Sequence, residues 1–258
     1  MNHRPRKRFG QHFLHDPNVI ARIVAAIDPR PEDHLVEIGP GLGALTTAVL
    51  PLAHQLEVVE LDRDVLPHLQ SACAGLGELT IHQADALRFD FASLATDTRP
   101  LRLIGNLPYN ISTPLLFHLA EQAAVVRDCH FMLQKEVVDR LGAAPASDAY
   151  GRLSVMAQFH FRVEPLFRVG PGAFTPPPKV DSAVVRLTPH ATPPVAVADP
   201  RRFAQVVNQA FSQRRKTLRN ALKGVVSGEQ LAALGIDPGL RPEVLSLEEF
   251  ARISNTQP

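Results

Sequence analysis

The sequence predicts an α/β protein in which a doubly wound, mainly parallel sheet is followed by a small α-helical domain. From residue 34 onward, short β-rich apolar runs alternate with helix-like segments, which is the pattern of βαβ units. Several of these runs are almost entirely apolar, as strands buried on both faces of a parallel sheet must be. The predicted strands are 34–39, 56–62, 79–85, 101–106, 130–134, 153–161 and 183–187.

The expected domain boundary follows a change in composition. Prolines crowd the span between residues 163 and 200, and 193–199 has the composition of a linker. Beyond it, apolar residues recur at helical spacing over 203–222, and two more helices are predicted around 228–235 and 246–254. We therefore expect residues 1–192 to form the α/β domain and residues 193–258 to form the helical domain.

The composition of the 258 residues, 45% apolar and 21% charged, is typical of a soluble globular protein. The longest uncharged stretches, 38–56 and 103–120, contain proline together with glycine or asparagine, which favours strand-turn-helix passages over membrane helices. The N-terminus has no apolar signal segment. Cys73 and Cys129 follow no disulfide pattern. Together these features predict a cytoplasmic protein.

The strongest local motif is a glycine-rich loop, Glu37–Ala44 (EIGPGLGA), between the first predicted strand and a helix. Gly39 and Gly41 let the backbone approach a ligand at a helix start. The loop also fits the dinucleotide fingerprint, so S-adenosylmethionine, a nicotinamide cofactor and a purely structural turn all remain open at this point. Glu37 favours the first, because an acidic group suits the cationic methionine end and opposes a pyrophosphate.

Two carboxylates follow at the ends of the next two predicted strands. Glu60 lies 21 residues after Gly39, where a carboxylate can accept hydrogen bonds from both hydroxyls of a ribose. Asp85 lies at the same edge of the sheet, within reach of an adenine amino group. The alternative is that both simply cap the next turn, as carboxylates at strand ends often do.

The fourth predicted strand ends in Asn106-Leu107-Pro108-Tyr109, where open α/β sheets bind substrate. An exocyclic adenine amine is a poor nucleophile, because its lone pair is delocalised into the ring. The Asn106 side-chain oxygen and the Leu107 carbonyl can accept hydrogen bonds from the two N–H groups of this amine. Pro108 fixes the backbone, and Tyr109 stacks on an extruded base. The alternative interpretation is an ordinary turn.

A rigid proline loop, 174–182 (FTPPPKVDS), lies further along the chain. Phe174 can cover the second face of a target base, and Lys179 can touch phosphate. The residues alone leave a simpler possibility open, that Phe174 only packs under the prolines.

The net charge of +1 conceals two basic segments. Residues 1–30 carry six basic and two acidic side chains, and residues 200–223 carry seven basic and none acidic. In the second segment we expect a phosphate-contacting surface on the helix of the second domain, although a solvated charged face is the usual alternative. Its candidate RNA-binding residues are Arg214, Arg215, Lys216, Arg219 and Lys223. The N-terminal residues Arg4, Arg6, Lys7 and Arg8 would extend it, or form a disordered tail.

Other chemistries lack their motifs. No lysine is preceded by glycine, so there is no P-loop, and there is no GxSxG elbow. The histidines and cysteines have no metal-ligand spacing, and we expect no metal.

Taken in order, five motifs resemble those of the ribosomal RNA adenine N6-dimethyltransferases, in particular the enzymes of the small subunit. The resemblance covers nearly the whole chain and rests on 6–14 (RKRFGQHFL), 37–41 (EIGPG), 106–109 (NLPY), 174–182 (FTPPPKVDS) and 212–220 (SQRRKTLRN). It implies a Rossmann-like domain with S-adenosylmethionine as donor. The implied substrate is two adjacent adenosines near the 3′ end of 16S rRNA, and the expected state is a monomer.

The resemblance also implies roles for individual residues. It makes Phe174 a base-stacking partner of Tyr109, and it places His12 and Leu14 against the donor, together with Gly39, Glu60, Asp85 and Asn106. The chain departs from the family at position 12, where many members carry Asn, so a side-chain contact there would be altered while a backbone contact would survive. Two alternative functions remain: a nicotinamide-dependent oxidoreductase, and an assembly factor for which methylation is a minor activity.

Overall fold

The computed structural model describes residues 12–213 and 215–256, which divide into two compact units. The first unit combines the chain up to Val138 with Val163–Pro189, and the second combines Asp139–Arg162 with the chain from His190 onward. The later change of unit, at 189/190, lies close to the expected boundary at 192/193. The second unit also takes the segment 139–162, which composition alone does not distinguish from the α/β domain.

The strands form two sheets. A seven-stranded sheet has the order β4-β3-β2-β5-β6-β9-β7, and a two-stranded sheet pairs β1 with β8. The bounds are β1 Phe13–Leu14, β2 His34–Ile38, β3 Gln55–Glu60, β4 Glu78–Gln83, β5 Leu101–Asn106, β6 Val126–Gln134, β7 Phe161–Val169, β8 Phe174–Thr175 and β9 Ser182–Pro189.

Helices connect most of these strands and are the main regular elements of the second unit. The bounds are α1 Pro17–Ile27, α2 Thr46–Ala53, α3 Leu66–Cys73, α4 Ser112–Glu121, α5 Lys135–Leu141, α6 Arg152–His160, α7 Pro200–Phe211, α8 Leu218–Ala221, α9 Gly228–Ala233 and α10 Leu247–Ser254. The division between the units falls within α5 and β7.

The order of the large sheet confirms the predicted doubly wound fold. Strand β2 pairs in parallel with both β3 and β5, while β9 is antiparallel to β6. The chain builds outward from β2 to β4 on one side and then returns to build β5 and β6 on the other. The point of reversal lies between β2 and β5, where folds of this class bind ligands outside the carboxyl ends of the strands.

Apolar burial explains why these runs form a central sheet. All five residues of β2 are buried, and so are the first five of β5. Helices α1, α2 and α3 bury apolar side chains in one core cluster with the strands, for example Ile23, Leu50 and Leu69. Asp16 caps α1, because its side chain accepts hydrogen bonds from the backbone of Asn18 and Val19.

The strand predicted at 153–161 is wrong, since this run forms helix α6. Residues 154–157 are all buried, so the run shows no amphipathic period, and a short buried helix cannot be told from a buried strand by periodicity. At the helix start, the Gly151 N–H donates to the Ser154 Oγ at 3.0 Å. The strand begins only at Phe161, where β7 starts.

The second unit contains the predicted helices. The buried face of α7 is Phe203, Val206, Val207 and Ala210. Helices α9 and α10 confirm the predictions near 228–235 and 246–254, and each begins with a capping box. In the span 193–199 the structure has neither helix nor strand, as expected of a linker.

Among the helices in the described ranges, none has both the length and the apolar character needed to cross a bilayer.

Candidate active site

A cavity of about 910 Å³ lies in the first unit, at the edge of the sheet where β2, β3 and β5 end. This volume suits a nucleoside-sized ligand. The walls come mainly from the segment around β1, the glycine-rich loop and the residues at the ends of β3, β4 and β5. These are residues 12–15, 37–45, 59–61, 84–87 and 106–111.

The glycine-rich loop forms one wall and adopts a backbone that favours glycine. Gly39 and Gly41 have φ angles of +69° and +55°. A Cβ atom on Gly41 would lie 3.2 Å from the ring of Phe13. The Gly41 N–H donates to Glu60 Oε2 at 3.2 Å, which ties the loop to the end of β3. A ligand in the cavity can therefore approach the loop backbone closely.

Glu37 lies in the cavity wall and is only 2% exposed. Burial and the nearby Glu60 charge raise the pKa of its carboxyl to about 7, although a hydrogen bond from Thr46 Oγ1 at 2.6 Å opposes the shift. Near neutral pH this carboxyl therefore exchanges between its protonated and ionised forms. A cation entering the cavity would favour the ionised form.

Glu60 ends β3 with both carboxylate oxygens oriented by backbone donors. Oε1 accepts from the Asp62 N–H at 2.8 Å and Oε2 from the Gly41 N–H. Burial raises the pKa of Glu60, and these backbone bonds act against that rise. A carboxylate oxygen has two lone pairs, so each oxygen can still accept a ribose hydroxyl.

Asp85 lies two residues beyond β4 and also lines the cavity. Its Oδ1 accepts a hydrogen bond from the Leu87 N–H at 3.0 Å, so the carboxylate does cap its own turn. Capping and ligand binding are compatible here, because the capped carboxylate is part of the cavity wall.

Asn106 ends β5 on the opposite side of the reversal point from the glycine-rich loop. Its Nδ2 donates to the His12 carbonyl at 3.2 Å, which leaves Oδ1 as the acceptor of this amide. The Leu107 N–H donates to the Met132 carbonyl at 3.1 Å and fixes the next peptide. Asn106 therefore lines the cavity with an acceptor oxygen that has no part in the His12 bond.

Gly105 is a site residue that sequence reasoning missed. A Cβ atom there would lie 2.5 Å from the Ile38 carbonyl oxygen, closer than real Cβ contacts come. Only glycine lets β5 run this close to the end of β2, beyond which Gly39 lines the same cavity as Asn106. A lone glycine within an apolar strand was the available signal.

Tyr109 is half-buried in the cavity wall and is held by two other segments. Its hydroxyl shares a hydrogen bond of 2.6 Å with Ser182 Oγ, and its ring centroid lies 5.5 Å from that of His12. Burial raises the pKa of Tyr109, against the effect of the Ser182 bond. Sequence reasoning did not single out Ser182, because the two residues lie 73 positions apart.

The segment before α1 closes one side of the cavity. Leu14 of β1 is buried and pairs with Phe174, while Phe13 pairs with Thr175. His12 Nδ1 donates to the Pro176 carbonyl at 2.7 Å, and the His12 carbonyl accepts from Asn106. At position 12 the backbone therefore reaches the Asn106 amide, and the imidazole joins the proline loop.

Phe174 does not line the cavity, and the residue is only 2% exposed, in the core cluster that includes Leu14. This placement matches the simpler alternative, packing under the proline loop, and gives no support to a base-stacking role. Lys179 is exposed on the same loop.

The second unit carries what we call the basic patch, the exposed side chains of Arg215, Lys216, Arg219 and Lys223. The prediction that the basic cluster lies on one helix is wrong: Arg219 is in α8, and the other three precede or follow it. The polar turn between α7 and α8 interrupts the apolar spacing that suggested one helix. In the ranges that the structure covers, none of the four pairs with a carboxylate. Arg214 and the basic residues of 1–11 lie outside those ranges.

Within residues 12–213 and 215–256, no group of three or more His, Cys, Asp or Glu side chains is arranged to hold a metal ion.

Comparisons with known proteins agree on one family. The family model for ribosomal RNA adenine dimethylase matches residues 2–257. A ribosomal RNA small subunit methyltransferase A from Marinobacter nauticus is 59% identical, over 98% of this chain and 91% of its own length. The protein of the same name from Pseudomonas aeruginosa is 58% identical, over 98% and 94%.

Two solved structures resemble the chain over nearly its full length. A dimethyladenosine transferase from Plasmodium falciparum has a TM-score of 0.78 at 25% identity, covering 94% of this chain and 96% of its own. The 23S rRNA methyltransferase ErmE has a TM-score of 0.71 at 26% identity, covering 94% and 98%. With a family model that matches almost every residue and relatives at nearly 60% identity, the chain belongs to the ribosomal RNA adenine dimethylase family.

Proposed function

We propose that this protein transfers methyl groups from S-adenosylmethionine to N6 of two adjacent adenosines near the 3′ end of 16S rRNA in the small ribosomal subunit. The products are N6,N6-dimethyladenosines, and the modification contributes to subunit biogenesis. The observation that carries the proposal is one cavity that joins a nucleoside-binding wall, Glu60 and Asp85, to the sequence Asn106–Tyr109.

The cavity residues fit the donor. Glu60, with both oxygens oriented, receives the ribose hydroxyls, and Asp85 accepts from the adenine amino group. Gly39 and Gly41 give the backbone access that a bulky donor needs, and Glu37 provides a negative charge for the cationic methionine end. When bound, S-adenosylmethionine supplies an electrophilic methyl group.

Residues His12 and Leu14 complete the donor site from the N-terminal side. Both line the cavity, and β1 is attached to the proline loop by its pairing with β8. The His12 carbonyl holds the Asn106 amide, so the segment that covers the donor also orients the group that receives the acceptor.

Asn106 and Leu107 activate the acceptor. The Asn106 Oδ1 and the Leu107 carbonyl accept hydrogen bonds from the two N–H groups of the adenine amine. These bonds turn the nitrogen lone pair out of conjugation and stabilise the positive charge that grows on N6. The alkylated amine is acidic and loses its proton to water, so no separate strong base is needed. Pro108 fixes the backbone, and Tyr109 stacks on the base once it leaves its helix or loop.

The basic patch gives the enzyme an attachment to the RNA-rich particle. Four exposed cations that pair with no carboxylate of the described residues are suited to phosphate contacts, and such contacts position an RNA without reading its sequence. Lys179 would add a contact beside the cavity, and Arg214 belongs to the same stretch of sequence. We also propose that the protein acts in the cytoplasm as a monomer.

The test is transfer of labelled methyl groups to small subunits that lack the modification, with full-length 23S rRNA as the comparison. We expect label on N6 of adenine in 16S rRNA only. Label absent from 16S rRNA, or present on 23S rRNA instead, would overturn the proposal. A nicotinamide cofactor that raises the Tm where S-adenosylmethionine does not would favour the oxidoreductase alternative.

The variant Asn106→Ala distinguishes the enzyme from the assembly-factor alternative. If this variant binds immature subunits and supports their maturation while methyl transfer is lost, the protein has both roles. If maturation is lost together with methyl transfer, the enzymatic role accounts for the contribution of the protein to subunit maturation.

A further inference from the structure

We propose that Ser182 is a positioning residue for methyl transfer: its hydroxyl fixes the ring of Tyr109 in the orientation that receives the target adenine. The proposal rests on the proposed function. It starts from the 2.6 Å hydrogen bond between Tyr109 Oη and Ser182 Oγ, which joins two residues that are far apart in sequence.

The topology of the sheet explains why a serine from β9 reaches this site. Ser182 is the first residue of β9 and pairs with Gln134, the last residue of β6. Because β9 is antiparallel to β6, its first residue lies at the edge where β5 and β6 end. Tyr109 follows β5 by three residues and lies at that same edge.

Ser182 is a fixed support for the tyrosine hydroxyl. Ser182 is 0% exposed, and among the described side chains its hydroxyl bonds to that of Tyr109. The preceding residue, Asp181, is held twice: its carboxylate pairs with Arg168 at 2.5 Å, and its carbonyl accepts from the Lys135 N–H at 2.9 Å. The serine therefore cannot readily follow a moving ring.

The hydroxyl bond controls the ring separately from the backbone. The Tyr109 carbonyl accepts from Ser112 Oγ at 3.1 Å, and this bond holds the main chain of the loop. The His12 ring contacts the tyrosine ring at a centroid distance of 5.5 Å and an angle of 30°. Loss of Ser182 would leave these two contacts in place and release only the far end of the ring.

A loose ring would impair the reaction more than the fold. Stacking on Tyr109 holds the extruded base against Asn106, and a small misplacement of reacting groups reduces the rate strongly. The donor site does not include Ser182, which does not line the cavity. The effect should therefore appear in turnover with subunits and leave donor affinity unchanged.

The kinetic experiment compares Ser182→Ala with the conservative variant Ser182→Thr and with Ser154→Ala. Ser154 is also a fully buried serine, bonded to the Arg140 carbonyl in the other unit, so it controls for general loss of stability. We expect kcat to fall about tenfold in Ser182→Ala with donor KM unchanged, wild-type kcat in Ser154→Ala, and substantial recovery in Ser182→Thr. Wild-type kcat in Ser182→Ala, or an equal loss in Ser154→Ala, would overturn the proposal.

The spectroscopic experiment uses the fact that the chain contains only two tyrosines, Tyr109 and Tyr150. Labelling tyrosine with ¹³C at the ring carbon that bears the hydroxyl gives two NMR signals, which Tyr109→Phe assigns. We expect Ser182→Ala to shift the Tyr109 signal and leave the Tyr150 signal in place. An unmoved Tyr109 signal would contradict the proposal, whatever the kinetics.

Tyr109→Phe keeps the proposal testable if Ser182→Ala does not fold, because it removes the other half of the bond. It should lower kcat by a similar factor, and the double variant, if stable, should show no further loss. Additive losses would overturn the proposal. A wild-type protein that methylates no subunit rejects the proposed function instead, and the NMR signal still reports whether the hydroxyl bond exists.

Discussion

At the residue scale, we expect Glu37 to couple donor binding to pH. Its buried carboxyl has a pKa of about 7 in the protein without donor, and a cationic donor would favour the ionised form. The carboxylate is therefore the minor form below pH 7 and the major form above it. Donor binding releases a proton when it begins from the protonated carboxyl.

We predict that donor affinity rises between pH 6 and pH 8 and that Thr46→Val moves this rise to higher pH. The valine removes the hydrogen bond that lowers the pKa of Glu37, so ionisation needs a higher pH. Titration calorimetry across this range measures the donor affinity. Glu37→Gln is the control, because glutamine does not ionise and any remaining pH dependence then comes from the donor itself. The same pH profile in wild type and Thr46→Val would contradict the assignment.

The same carboxyl has the opposite effect on stability. Its pKa is raised above the ordinary glutamate value of 4.5, so the folded state binds the proton more tightly than the unfolded state. Its contribution to the free energy of unfolding is therefore largest at low pH and is lost as pH rises from about 4.5 to 7. Without donor above pH 7, Glu37→Gln should melt at a higher temperature than wild type while binding donor more weakly.

At the element scale, Gly105 sets the approach of β5 to β2. Gly105→Ala places a methyl group against the Ile38 carbonyl, and we expect it to lower the free energy of unfolding by about 2–3 kcal/mol. Gly172→Ala is the matched control, because a Cβ atom there meets nothing within 4 Å. Denaturant unfolding compares the two. Equal free energies of unfolding for the two variants would show that β5 can move away from β2 without loss of stability.

A buried arginine joins α1 to the strands at the opposite end of the sheet from the cavity. Arg102 Nη2 donates to the Ile27 carbonyl at 2.7 Å, and its Nη1 and Nε pair with Asp33 at 2.6 Å and Asp128 at 3.0 Å. Although burial raises the carboxyl pKa, the nearby His130 and the hydrogen bonds from Arg102 outweigh it and hold the pKa of Asp128 below its usual value.

Arg102→Ala should lower the free energy of unfolding by about 3–5 kcal/mol, because it leaves two buried carboxylates without this partner. Arg127→Ala is the control: Arg127 also pairs with Asp33, at 2.9 Å, but its side chain is 57% exposed. For the control we expect a loss of about 1 kcal/mol or less. Urea unfolding at neutral pH measures both, and similar losses would show that burial does not determine the strength of these pairs.

The elements also show how far sequence patterns extend. Alternating apolar runs predicted most of the large sheet, because each buried strand carries its own local signal. The same signal failed for α6, where burial on all sides removes the helical period. Gly105 carries only a weak local signal, a lone glycine in an apolar strand, because its contact lies on a neighbouring strand. Ser182 carries none, because its partner is a tyrosine 73 positions away.

At the scale of the whole molecule, a net charge of +1 conceals the basic patch. Neutralising Arg215, Lys216, Arg219 and Lys223 to glutamine should weaken binding to small subunits. It should also reduce the slope of log affinity against log salt by about one for each lost phosphate contact. Tm and donor affinity should stay unchanged.

A control variant with the same loss of charge separates the effect of the basic patch from the effect of total net charge. Glutamine at the exposed residues Arg30, Arg63 and Arg241 and at the half-buried Arg99, all of them outside the patch, should leave most of the salt dependence in place. Filter binding across a salt series compares the two variants. Equal slopes would show that total charge, and no local surface, governs the attachment.

The most direct measurement is mass spectrometry of 16S rRNA from unmodified small subunits incubated with the protein and S-adenosylmethionine. We expect two adjacent N6,N6-dimethyladenosines near the 3′ end with the wild-type chain, and none with Asn106→Ala. Unmodified adenosines after incubation with the wild-type chain, or methyl groups only at other positions, would contradict it.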